Sequence, residues 1–165
     1  MTHALDRGPT PATLADLVPQ SAIDLDLSTA SNKRQTITRL LGCLDRSGVV
    51  LDCPQALEDL LEREQRGSTA LGRGVALPHA KTLGAQQPVL AFGRCGGGLD
   101  FDSLDGKPVQ LVFLLLVPRT RAGLHLKVMS TLTRHLREES HRRALLEAKE
   151  GGAVRRLLGE VVIQR

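Results

Sequence analysis

Val109-Gln110-Leu111-Val112-Phe113-Leu114-Leu115-Leu116-Val117-Pro118 decides the fold. Leu111–Val117 is the longest apolar run of the chain, set between a turn signal, Asp105-Gly106, and the strand-ending Pro118. A strand that is apolar on both faces must be covered on both, so this one is expected at the centre of a sheet with helices on each side. It is far shorter than the roughly 20 residues that span a bilayer.

Helical periodicity surrounds it. Downstream, Leu124, Val128, Leu132 and Leu136 form one stripe of a helix that Gly123 precedes and that runs to about Arg137. A shorter helix is expected over about Ser140–Ala148, then a break at Gly151-Gly152, then a last amphipathic turn or two. Upstream, Val89–Arg94 and Val75–Leu77 read as strands, and Gly96-Gly97-Gly98 as a flexible turn. One helix begins near Pro54 with Asp52 or Cys53 as its cap, turns Leu57, Leu60 and Leu61 inward, and closes at Gly67. Before it, Ser31 is read as the cap of a helix with Ile37, Leu40, Leu41 and Leu44 on one face and Gly48 as its stop. Alternation over Ala22–Leu27 reads as a half-buried strand, and Thr13–Val18 as a single turn capped by Thr13. The sum predicts a mixed α/β (α+β) single domain over residues 13–160. Its sheet is expected to be mixed parallel and antiparallel, of about five strands, flanked by helices on both faces, with residues 1–12 as a flexible leader.

Composition narrows the function. Hydrophobic residues make up 41% and charged residues 24% of 165, ordinary for a globular protein. The net charge of +4 suits an anionic ligand or an acidic partner. Scattered arginines, with three Phe and neither Trp nor Tyr to stack on bases, argue against nucleic acid. Cys43, Cys53 and Cys95 lack metal spacing and read as reduced, buried thiols of a cytoplasmic protein. The N-terminus carries no signal-peptide pattern.

The chemistry gathers at Leu71-Gly-Arg-Gly-Val-Ala-Leu-Pro-His-Ala-Lys81. Pro78 limits the backbone beside His79 and holds Leu77 extended, which presents the imidazole at a strand end. Gly72 and Gly74 permit positive φ and leave room for an incoming group. A neutral imidazole is a nucleophile, and a phosphoryl group in transfer needs cations and donors around its oxygens. Arg63 offers a planar fork at the end of its helix. Ser68 and Thr69 offer hydroxyl and backbone donors, and His125 offers another near a helix N-terminus. Alone, each has a plainer reading: Arg63 as a dipole-matched last-turn cation, and His3, His135 and His141 as solvated side chains.

Taken together, Arg63-x-x-x-Gly67-Ser68-Thr69-x-Leu71-Gly72-x-Gly74-Val75-Ala76-Leu77-Pro78-His79-x-Lys81 resembles the signature of EIIA type-2 domains, phosphocarriers of the bacterial phosphotransferase system. Asp105–Pro118 and His125-Leu126-x-x-Met129-Ser130-x-Leu132 extend the resemblance. It implies that His79 forms a tele-phosphohistidine intermediate, charged by an HPr-like carrier that enzyme I supplies. It further implies that Arg63 and His125 line the site, with Ser68 and Thr69 as phosphoryl-binding candidates, and that no metal or organic cofactor is used. The lone form and the stretch Phe101–Val109 resemble the nitrogen-regulatory members, whose donor is a nitrogen-type HPr (NPr). Their targets include potassium transport and sensor kinase proteins. Where some of these carry a second histidine two residues after the first, this chain has Lys127, expected to add positive charge near the site. The alternatives are a sugar-specific (fructose/mannitol-type) EIIA passing phosphate to an EIIB, and a non-catalytic protein-interaction module.

Overall fold

The computed structural model describes residues 11–164. Most of the leader expected over residues 1–12, His3 included, lies outside them. Within them Ala12 accepts a hydrogen bond from Ile163 N–H, and Leu14 N–H donates to Val161 O, so the two ends of the described chain meet.

Strand β6 (Val109–Pro118) is the centre of a mixed six-stranded sheet, one strand more than expected. It pairs antiparallel with β5 (Val89–Leu99) along one edge. Along the other edge, β3 (Val75–Ala76) and β4 (His79–Thr82) lie end to end and parallel to it. Beyond these, β2 (Ala70–Gly72) flanks β3, and β1 (Ile23–Asp24) lies parallel to β5. Side chains of β6 alternate between two cores. Leu111, Phe113, Leu115 and Val117 pack with α3 (Ala122–His135), α4 (Glu139–Glu147) and α5 (Gly151–Gly159). Val112, Leu114 and Leu116 pack with α1 (Lys33–Arg46) and α2 (Cys53–Gln65). Every apolar side chain of that run is 0–1% exposed, which explains the missing alternation in the sequence. Each such burial contributes on the order of 2 kcal/mol.

Local expectations fail where side chains or distant strands capture the backbone. Asn32, not Ser31, caps α1: its Oδ1 accepts from Gln35 N–H at 2.9 Å. Asp52 caps α2 in the same way, at 3.0 Å. The strand read over Ala22–Leu27 shrinks to two residues, because the Asp24 and Asp26 carboxylates accept from the N–H groups of Asp26 and Ser28 and break the regular ladder, although Leu27 N–H still donates to Arg94 O of β5 at 2.8 Å. Gly96-Gly97-Gly98 is the end of β5 rather than a turn. The register shifts there, and Gly98 takes φ +80° where a Cβ would sit 2.6 Å from Pro108. Gly151 and Gly152 start α5 instead of breaking the chain. Cys43 and Cys95 are buried, Cys53 only partly so.

Candidate functional site

The loop after α2 and the start of β4 place His79. Pro78 interrupts the edge, its carbonyl accepts from Leu115 N–H at 2.9 Å, and His79 then opens β4 opposite Leu115. The histidine is thus the first residue of a strand of its own, not the end of the strand before it. Gly72 and Gly74, with φ of +81° and +79°, make the tight β2–β3 turn and do not line the pocket.

His79 Nδ1 lies 2.8 Å from Leu77 O. A carbonyl only accepts, so Nδ1 carries the proton and Nε2 keeps its lone pair. Burial pushes the His79 pKa below its ordinary value, against the upward pull of the Leu77 bond. Arg63 and Lys81 lower it further, so the ring is neutral near pH 7.

His79 shares a pocket of about 590 Å³ with Arg63 and His125, so residues 62 positions apart in sequence converge. The two imidazole centroids are 5.1 Å apart. His125, in the first turn of α3, is 8% exposed, and neither ring nitrogen has a hydrogen-bond partner among the described residues. Burial first, then His79, Lys81 and Arg63, push its pKa down to about 4. A neutral ring with an unused N–H at a helix N-terminus is a donor for an anion.

Charge around the pocket is uneven. Arg66 pairs with Glu62 at 2.7 Å and Arg119 with Asp59 at 3.6 Å. Arg63 gives one N–H to Gly67 O at 2.9 Å and, like Lys81, has no carboxylate partner among the described residues. Two cations therefore remain for a bound anion. Asp59, Glu62 and Arg66 follow from helical spacing around Arg63; Arg119 has no local sequence signal, because only the β6–α3 connection brings it in.

Three expectations do not match the geometry. Ser68 and Thr69 do not line the pocket: Ser68 Oγ donates to Phe101 O, and Thr69 gives both its N–H and its hydroxyl to Glu64. Lys127 faces another cleft with Leu124 and Val162. His135 and His141 are partly buried rather than fully solvated, and stack at 3.9 Å. Among the described residues no group of three or more His, Cys, Asp or Glu could hold a metal.

Residues 16–161 match the family described as phosphoenolpyruvate-dependent sugar phosphotransferase system, EIIA 2. The chain belongs to this family. It is 40% identical over 149 residues to a fructose-specific EIIA component of Haloferax volcanii, covering 90% of this chain and 96% of that one. It is 32% identical over 130 residues to a nitrogen regulatory protein of Pseudomonas aeruginosa, covering 79% and 84%. The crystal structure of nitrogen regulatory protein IIA-Ntr from Neisseria meningitidis superposes with a TM-score of 0.81 at 37% identity, covering 87% and 97%. This EIIA domain therefore has relatives named as fructose-specific EIIA components and relatives named as nitrogen regulatory proteins. No described helix is long and apolar enough to cross a membrane.

Proposed function

We propose that this EIIA domain is a cytoplasmic phosphocarrier whose acceptor atom is His79 Nε2. One observation carries the reading: the Nδ1–H···O=C bond to Leu77 leaves Nε2 as the only lone pair of a neutral ring, in a pocket that also holds Arg63 and His125. The Nε2 lone pair attacks the phosphorus of a donor phosphohistidine. The donor N–P bond breaks and its electron pair returns to the donor imidazole, while His79 keeps its Nδ1 proton. Arg63 and an N–H of His125 stabilise the equatorial oxygens of the transferring group.

The donor is an HPr-like protein charged by enzyme I, and the nitrogen-type carrier is supported by the 37% identity to IIA-Ntr, against 24% to a mannitol-specific IIA of the same fold. In that branch the phospho-state governs binding to regulatory targets such as potassium transport or sensor kinase proteins. The 40% identity to a fructose-specific EIIA favours a second reading, transfer onward to an EIIB for sugar uptake.

Incubation with phosphoenolpyruvate, enzyme I and either a nitrogen-type or a sugar-type HPr separates the two readings. One acid-labile phosphoryl group per chain is expected, faster from the nitrogen-type donor and absent in His79→Ala. Label retained in His79→Ala rejects the acceptor assignment. Preference for the sugar-type donor, with onward transfer to a fructose-type EIIB, rejects the regulatory one.

A further inference from the structure

Glu64 follows Arg63 in sequence but is buried, 7% exposed, and does not line the pocket. A buried carboxylate is strongly destabilising unless it is both paired and hydrogen-bonded. Glu64 is both. Its Oε1 accepts from Thr69 N–H at 3.1 Å and lies 3.1 Å from Lys33 Nζ, and its Oε2 accepts from Thr69 Oγ1 at 2.5 Å. Lys33 also pairs with Asp102 at 2.8 Å. Burial works against the Lys33 charge, but its bonds to Asp102 and Glu64 outweigh that and raise its pKa.

The chain of bonds continues to the pocket. Thr69 O accepts from Leu77 N–H at 3.0 Å, and Leu77 O accepts from His79 Nδ1–H at 2.8 Å. Gly67 N–H donates to Glu64 O at 3.2 Å, and Gly67 O accepts from Arg63 Nη1 at 2.9 Å. Ser68, between them, is tied to Phe101 O. One interior carboxylate thus anchors the 67–69 turn that touches the pocket's cation on one side. Through two backbone carbonyls, the same turn reaches the nucleophile's ring on the other.

We propose that Glu64 is a positioning residue for phosphoryl transfer. Its carboxylate pins Thr69, which sets the Leu77 carbonyl that holds His79 as the Nδ1–H tautomer, and it fixes the turn on which Arg63 is aimed. This rests on the reading of His79 as the phosphoryl acceptor. What matters in this role is acceptor geometry, not bulk. Leucine fills a similar volume with no acceptor. Glutamine keeps an oxygen for Thr69 N–H and Lys33, and its amide can donate to the Thr69 hydroxyl, which then accepts.

The test reads the His79 tautomer by imidazole ¹⁵N NMR in the full chain and in Glu64→Gln, Glu64→Leu and Thr69→Val. Phosphoryl uptake from an enzyme I-charged HPr-like donor is measured alongside. Wild type and Glu64→Gln are expected to hold one Nδ1–H tautomer. Glu64→Leu is expected to show mixed tautomers and uptake slowed about tenfold to a hundredfold, the cost of a misplaced reacting group. Thr69→Val, which keeps the backbone bond, should fall between, and restored uptake in Glu64→Gln completes the pattern. A pure Nδ1–H tautomer in Glu64→Leu, or uptake there at the wild-type rate, overturns the proposal. A role in folding alone would lower the melting temperature and leave the tautomer unmoved. If Glu64→Leu does not fold, Thr69→Val decides, and a wild-type tautomer there overturns it. The tautomer measurement needs no donor, so absence of uptake by the wild type rejects the acceptor reading while the ring still decides Glu64.

Discussion

His79 and His125 occupy one pocket yet are suited to different tasks. His79 has its Nδ1 proton committed to Leu77 O and offers a lone pair; His125 has no committed proton and offers a donor. Because burial lowers the His79 pKa below 6.5, the nucleophilic neutral form persists into mildly acidic solution. Initial uptake rates measured against pH, with a donor kept saturating, are expected to stay level as pH falls past 6.5 and to drop only below it. A drop centred at or above 6.5 would place the ring in a more solvated setting. Arg63→Lys should slow uptake about tenfold or more, since an ammonium cannot replace the planar fork on two phosphoryl oxygens. His79 and Arg63 could be singled out as candidates in the sequence because proline, glycine and helix-end chemistry are local, and the motif that joins them gave those candidates a role to test. Which nitrogen keeps its lone pair could not, because the deciding acceptor, Leu77 O, depends on how the 67–79 segment is folded. Ser68 and Thr69 were drawn toward the site by proximity in sequence, but Glu64 and Phe101 hold their hydroxyls.

Helix α2 delivers Arg63, and its seat on β4 depends on one close approach. Leu51 N–H donates to Gly84 O at 2.7 Å, and a Cβ on Gly84 would lie 2.5 Å from Asp52 O, at the cap of α2. Gly84→Ala is therefore expected to push the helix outward, destabilise the fold by about 1–3 kcal/mol, and slow uptake through displaced Arg63. Chemical denaturation and the transfer assay check the two effects separately. Asp52→Ala, which removes the cap, should cost about 1 kcal/mol and serves as the milder comparison. The helices were legible in the sequence because a 3.6-residue stripe records which face is buried: Leu40, Leu41 and Leu44 on α1, and Val128 and Leu132 on α3, are all 0–1% exposed. Strands β2 and β4 were not, because runs of three and four residues carry too little alternation to stand out. The glycines of β5 were misread for a related reason: they sit where the β5–β6 register shifts, and the strand resumes pairing at Leu99 beyond them, which no local preference signals.

For the whole molecule, neutral buried histidines couple stability to pH. His125 and His135 both have native pKa values pushed down to about 4 from 6.5, chiefly by burial. As pH falls from 6.5 toward 4 the unfolded chain takes up protons that the native state refuses, so stability is lost through that window and these groups add no further loss below it. For His125 alone the shift corresponds to roughly 3 kcal/mol. Urea midpoints are expected to fall across the window, and less steeply in His125→Gln; an unchanged slope in that variant would remove His125 as a contributor. The sequence by itself determined the central strand, the two helical layers and the candidate acceptor His79, because hydrophobic period, proline and glycine act over a few neighbouring residues. Only the tertiary structure decided which imidazole nitrogen is free, that His125 is buried with no hydrogen-bond partner among the described residues, that Arg119 joins the pocket, and that Glu64 holds Thr69 in the interior. Those outcomes depend on hydrogen bonds and ion pairs between segments far apart in the chain, whose partners no local pattern specifies.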